Sequence, residues 1–397
     1  MAESLRMDRE KLRIAYVTRG KADDPGNWSG IVRHIKDGLI DAGHEVHVID
    51  GIPAVVPLHS KLRGRFVRLV SGKTYAYDRD IGVSKHFARE VEKRLAALNV
   101  DCMVSPVLPT PAYLRTQLPI AIWDDGPFHC LREIYPQYDD VAADSLRQGD
   151  YLDGLSVQKC SVLGFASRWA ADDAIQYHHA DPEKVLVLPF GSNCPSPYRD
   201  EDEVVGVFEG KPHRPFKLLF VGIDWQRKGG AQTLEIHQDL RRRGVDAQLT
   251  IVGCNPFSGP LPEGVICLGR LNKGVPEQAA RLQQCFRDAH IFIMPTKAEC
   301  FGVVYAEAAA HALPSIGTRV GGVADAVVEG ETGWLFDLNA SPAQYGDLLA
   351  SLAANPSKLR EASIRAFRHQ QRELNWGRSI DKLVSALRSK IPSLKRR

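Results

Sequence analysis

Two glutamates, Glu299 and Glu307, stand eight positions apart in AECFGVVYAE, on either side of the pair Phe301-Gly302. The run before them, HIFIMPTK, ends in residues of β-strand type, while GVVYAEAAAHA has the alanine content and length of a helix. Eight helical residues span about 12 Å, wider than the roughly 5–9.5 Å between the two carboxylates of a glycoside hydrolase. That separation suits the two ends of one extended ligand better than a hydrolytic dyad. Between the ends, at Phe301, Gly302 and Val303, the first N–H groups of a helix and its dipole favour an anion. Gly302 lets the ligand approach the backbone closely. Hydroxyls at both ends and phosphates between them describe a nucleotide sugar. The competing reading makes Glu307 a solvated helix residue and Glu299 a partner of the helix dipole.

A second stretch supplies the opposite charge. FVGIDWQRKGG runs off a strand at Gly222 and places Arg227 and Lys228 before Gly229-Gly230, at the start of another helix. Two cations at a strand's carboxyl end suit a diphosphate; most Arg-Lys pairs of this kind are solvated turns. A third loop, RGKADDPGNWSGI, ends at Gly30, whose position opening a helix offers backbone N–H groups to the same phosphates.

The elements that position these residues are legible along the chain. Short runs rich in Val, Ile and Phe alternate with segments of helical period: LRIAYVT, EVHVID, DCMVSP, PIAIWD, VLGFAS and VLVLPF in the first half. KLLFVGI, AQLTIVG, VICLG, IFIMP, LPSIGT and GWLFD follow in the second. Such βα alternation predicts mostly parallel sheets covered by helices, an α/β fold of two doubly wound, Rossmann-like domains. In such folds the ligand lies at the carboxyl ends of the strands. Residues 191–216, with four prolines, read as linker and entry to the second domain. The expected division is 1–194 with 376–397 against 195–375.

At 397 residues and 44% hydrophobic content the chain has ample core for two domains. A formal net charge of +3 does not argue for a nucleic-acid partner. Eight scattered cysteines without a C-x-x-C pair read as reduced thiols rather than a disulfide or zinc framework. The charged N-terminal stretch has no signal-peptide core, so a cytoplasmic location is expected. SGKT at 71–74 lacks the upstream glycine and the strand of a phosphate loop. Residues 61–94 hold ten Lys/Arg against four Asp/Glu, a solvated face or a contact with an anionic membrane at its inner surface.

Taken together these motifs resemble the retaining, GT-B-fold glycosyltransferases of family four, also called group 1. The E-x7-E pair is matched by Glu299 and Glu307, and the Gly-x5-Lys-Gly segment by Gly222, Arg227, Lys228 and Gly229. The helix-start Phe-Gly is matched by Phe301-Gly302 and a downstream Gly-Gly by Gly321-Gly322. The resemblance implies that Glu299 holds hydroxyls of the transferred sugar and Glu307 those of the ribose. It implies that Arg227 and Lys228 stabilise the leaving diphosphate, with the backbone at Phe301, Gly302 and Val303 completing the site. LGRLNK at 268–273 would border the base, with Arg270 a ring neighbour, and the final helix would return to the first domain. Retention in this family is explained by attack on the donor's own face with a phosphate oxygen as base. No metal or other cofactor is then required: the donor is a UDP- or GDP-sugar, and the partner a hydroxyl acceptor.

One departure stands out. Many family members carry an active-site His after a strand of the first domain; here the stretch is IAIWDDGPFHCL, with Asp124 and Asp125 in its place. The resemblance gives Asp125 a sugar or acceptor hydroxyl, ahead of His129. A sugar-nucleotide epimerase on the same fold and a non-catalytic two-lobed sugar-binding protein are the competing functions.

Overall fold

A computed structural model of the protein describes residues 11–24 and 26–391. Half of the N-terminal stretch read for a leader, residues 1–10, and the basic SLKRR tail lie outside the described residues. The chain divides into two compact units, one running to Leu188 and resuming at Trp376, the other Pro189–Asn375. The division falls ahead of the break after Cys194 expected from the proline-rich stretch.

The first unit holds β1 (Arg13–Val17), β2 (Glu45–Ile49), β3 (Cys102–Ser105), β4 (Ile120–Asp124), β5 (Val162–Phe165) and β6 (Val185–Val187). They form one parallel sheet in the order β2-β1-β3-β4-β5-β6. Strands β3, β4 and β5 are buried along their whole length, as a sheet covered on both faces requires. The helix Trp376–Arg388 belongs to this unit. Trp376 stacks on His34, ring centroids 5.5 Å apart, and meets Trp123 edge-on at 5.5 Å.

The second unit holds β7 (Phe216–Val221), β8 (Ala247–Val252), β9 (Val265–Cys267), β10 (Ile291–Met294), β11 (Ser315–Thr318) and β12 (Gly333–Phe336). Its parallel order is β12-β11-β10-β7-β8-β9. In both units the first strand sits between strands reached in opposite directions, β1 between β2 and β3, β7 between β8 and β10. The loops leaving β1 and β3, and those leaving β7 and β10, therefore diverge and open a crevice at each sheet's carboxyl edge.

Part of the expected linker is ordered. Asp200 caps the helix Glu201–Glu209 by accepting from the Glu203 N–H, and Val204 and Phe208 bury its apolar face. The SGKT stretch ends a helix, with Gly72 as its left-handed C-cap, so it is no strand-to-helix turn. No helix among the described residues is long and apolar enough to cross a membrane.

Candidate functional site

The loops leaving β7 and β10 carry Arg227-Lys228 and Glu299, and hydrogen bonds stitch them together. The Arg227 carbonyl accepts from the Lys297 N–H at 2.8 Å and from the Thr296 hydroxyl at 3.3 Å. The Arg227 guanidinium donates to the Ala298 carbonyl at 2.7 Å, reaches Glu299 at 3.5 Å, and is steadied by Asp224 at 3.3 Å. Lys228 Nζ is paired with the same Glu299 carboxylate. Both expected cations thus converge on the expected glutamate, which is only 8% exposed.

Each loop ends in a glycine that opens a helix. Gly229 (φ 75°) precedes Gly230–Arg242, and Gly302 (φ 81°) precedes Val303–Ala310, neither with a side-chain cap. Gly222, at the end of β7, packs against the Lys228 stem, 3.1 Å from where a Cβ would stand. Phe301 is buried edge-on against Phe190, centroids 5.5 Å apart.

The helix Val303–Ala310 is apolar nearly all round, and Tyr305 fixes it to β10 by donating to the Met294 carbonyl at 2.7 Å. Glu307 sits within it, 2% exposed. That excludes the solvated-residue reading and demands a counter-charge. The counter-charge is Lys273, at the end of the loop after β9, which pairs with the Glu307 carboxylate. Burial opposes the Lys273 charge, yet Glu307 outweighs it and lifts the ammonium pKa above its ordinary value. Lys273 was missed as a named residue although LGRLNK ends on it; nothing in the sequence marks which residue of that loop reaches back to the helix. Arg270, in the same loop, is exposed.

In the first unit, Trp28, Ser29 and Gly30 take consecutive left-handed conformations (φ 47°, 55° and 86°) just before the helix Ile31–Asp41. Two non-glycine residues there are a strained arrangement, held by their surroundings. The result aims the Trp28 indole N–H at Asp125, 3.1 Å away. Asp125 lines a cavity of about 260 Å³ with Arg19, Trp28, Arg79, Asp124 and Asp153. It lies where the loops leaving β1 and β3 diverge and β4 ends.

Charge in this cavity is tuned by burial. Burial, then the neighbouring Asp125 charge, pushes the Asp124 carboxyl well above its usual range, although it accepts the Leu108 N–H at 2.6 Å. Burial pushes Asp153 up to about 7 against the pull of Arg79. Arg19 is lowered to about 10 by burial and by Arg79. Arg79 lies over the Phe128 ring at 4.3 Å with Nη1 3.8 Å from Asp153, and acidic neighbours lift its pKa despite burial. Two guanidiniums therefore face three carboxyl groups, two of which, Asp124 and Asp153, burial pushes above the usual carboxylate range. Sequence reading named Asp125 but not Arg19, Arg79 or Asp153, which line the same cavity from separate segments. His129 is turned elsewhere: Nδ1 lies 2.6 Å from Asp173 and the ring stacks on Tyr177. Among the described residues no group of three or more His, Cys, Asp or Glu is arranged to hold a metal ion.

Known proteins resemble this chain in sequence and fold. The family model for glycosyl transferases group 1 matches residues 215–355, the part that carries Arg227, Lys228, Glu299 and Glu307. The D-inositol 3-phosphate glycosyltransferase of Segniliparus rotundus is 29% identical over 225 residues, 54% of this chain and 49% of its own. That of an Arthrobacter species is 31% identical over 222 residues, 53% of this chain and 51% of its own. The chain thus spans about half the length of these curated relatives. Among solved structures, sucrose-phosphate synthase from Thermosynechococcus elongatus superposes with a TM-score of 0.69 at 15% identity, over 96% of this chain and 100% of its own. Anabaena HepE in complex with UDP and glucose gives 0.61 at 14% identity, over 95% and 100%. The chain therefore has the GT-B fold, and its residues 215–355 are similar to the glycosyl transferases of group 1.

Proposed function

We propose that the chain is a retaining glycosyltransferase that moves a sugar from a nucleoside diphosphate sugar, UDP- or GDP-linked, to an acceptor hydroxyl. The observation that carries this reading is the convergence of Arg227 and Lys228 on Glu299 beside the opening of the helix Val303–Ala310. In this reading Arg227, Lys228 and the N–H groups about Phe301–Val303 take the diphosphate, Glu299 the sugar hydroxyls and Glu307 the ribose. Gly222 keeps backbone clear for the phosphates, and Arg270 lies toward the base.

The chemistry asked of the protein is electrostatic. The bond from sugar C1 to the phosphate oxygen breaks with its electron pair going to the diphosphate, and an oxocarbenium-like sugar forms. The acceptor oxygen bonds to C1 on the same face, and its proton passes to a phosphate oxygen. Two ordered cations at the departing phosphates stabilise the charge that develops there, so we propose that no metal is required. The relatives' names specify a phosphorylated inositol. Arg19 and Arg79, which line the cavity with Asp124 and Asp153, carboxyls that burial pushes upward, support an acceptor here that carries an anionic group near its reacting hydroxyl, with Asp125 binding a sugar or acceptor hydroxyl.

The test is acceptor-dependent release of UDP or GDP in EDTA, with the product's anomeric configuration read by NMR. Glu299→Ala and Glu307→Ala should each cut turnover by a factor on the order of a hundred, as expected for loss of a charged hydrogen-bond partner. Interconversion of nucleotide sugars without nucleotide release would instead establish an epimerase, and donor binding without either reaction a binding protein.

A further inference from the structure

Among the described residues, the helix Leu58–Ser71 carries the densest group of exposed large apolar side chains: Leu58, Leu62, Phe66, Leu69 and Val70, each between 66% and 85% exposed except Leu62 at 55%. At about 100° per residue these five fall within one third of the helix circumference. The opposite side meets the body of the first unit: Ser60 and Gly64 are buried, and the Ser60 hydroxyl donates to Asp80 at 2.6 Å. The apolar stripe therefore points straight away from the core that would ordinarily cover it. Contiguous exposed apolar surface of this kind marks an interaction site.

The charge around the stripe identifies the occupant. No Asp or Glu stands between Asp50 and Asp78, while Lys61, Arg63, Arg65, Arg68 and Lys73 fall within that interval. Arg63 is bound by Asp144 at 2.7 Å, on one flank. Lys61, Arg65 and Arg68 lie together on the other flank, exposed and without an ion pair among the described residues. A second copy docked on this face would set these cations against one another. An anionic lipid surface would satisfy both features, since apolar side chains enter the acyl boundary while flanking cations meet the headgroups.

We propose that Leu58–Ser71 is an in-plane membrane anchor that docks the first unit on an anionic bilayer. Three other cations of 61–94 are engaged elsewhere: Arg79 lines the cavity described above, Lys93 pairs with Glu90, and Arg94 donates to the Asp50 carbonyl. The anchor is independent of the proposed transfer reaction, because none of its residues lines the cavity around Asp125 or takes part in the Arg227, Lys228 and Glu299 contact.

Flotation of the full chain with vesicles of phosphatidylcholine, alone or mixed with phosphatidylglycerol, tests it. Binding is expected only to the mixed vesicles and should weaken with salt. The triple variant Leu62→Gln, Phe66→Ser, Leu69→Gln should lower partitioning roughly a hundredfold. Lys61→Gln, Arg65→Gln, Arg68→Gln should lower it roughly tenfold or more. Both variants should keep the wild-type melting temperature, since the replaced side chains are exposed. Equal binding to neutral vesicles would overturn the proposal, as would no binding to either. Self-association abolished by the apolar triple variant, in a chain that ignores vesicles, would assign the face to a second copy instead.

Discussion

Replacing Gly229 by alanine should damage the stability of the second unit and its nucleotide site together. At φ 75° an alanine carries the left-handed penalty of about 1–2 kcal/mol. Its Cβ would also stand 1.9 Å from the Pro295 carbonyl oxygen, against a closest normal approach of 3.0 Å, so something must move by 3.0 − 1.9 = 1.1 Å. Both partners are backbone, and neither can rotate away. The strand-end loops they belong to are the ones joined through Arg227, Lys297 and Ala298, so the displacement acts on the contact between Arg227-Lys228 and Glu299. We expect a total loss of about 3 kcal/mol or more, which lowers the melting temperature by roughly 6–12 °C in a unit of this size. Gly244→Ala is the matched control. Its φ is 84°, yet its Cβ meets nothing within 4 Å, so it should lose only the conformational part, about 1–2 kcal/mol. Thermal unfolding of both variants, with and without UDP, GDP and ADP, gives the readout. Gly244→Ala should keep the wild-type shift with the preferred nucleotide, and Gly229→Ala should lose most of it. Equal destabilisation of the two variants, or an undiminished nucleotide response in Gly229→Ala, would refute the close-approach argument.

Lys273→Met should destabilise by about 1–2 kcal/mol, below the 3–5 of a fully buried pair because the Lys273 side chain is 40% exposed. Glu307→Gln should cost less, since it leaves the unpaired charge on the member that reaches solvent; the reverse order in urea unfolding would contradict this assignment. Asp153 supplies a pH dependence. Its carboxyl ionises near 7 when folded and near 3.8 when not, so its stabilising effect is complete below 3.8 and is lost as pH rises toward 7. The wild type should therefore lose on the order of 2 kcal/mol relative to Asp153→Asn between pH 5.5 and 8. A constant gap between the two across that range would show that Asp153 is not held protonated.

Much of this was legible because a doubly wound sheet writes itself plainly into sequence. Every run of the β type, from LRIAYVT to GWLFD, overlaps one of the strands β1 to β12, and the central strands β3, β4 and β5, buried on both faces, stand out as near-continuous apolar runs. The loop residues Arg227, Lys228, Glu299 and Gly302 were legible for the same reason: they sit at fixed offsets from strand ends. What stayed hidden depends on contacts far apart in the chain. Lys273 meets Glu307 across 34 positions, and Arg79 and Asp153 come together from separate elements. The proposed anchor helix was legible only in its basic charge, read over 61–94, because its apolar spacing looks like that of any helix packed on a core. Only its orientation in the fold shows that the apolar side faces outward.

The central claim is that Arg227 and Lys228 bind the diphosphate of a nucleotide sugar. Isothermal titration of UDP, GDP and ADP in EDTA, against the wild type and the Arg227→Ala, Lys228→Ala double variant, tests it most directly. The account predicts that one diphosphate binds the wild type, and that the double variant loses affinity by roughly a hundredfold, as loss of two charge-assisted contacts implies. No binding of any of the three at millimolar concentration, or equal binding by the double variant, would contradict it.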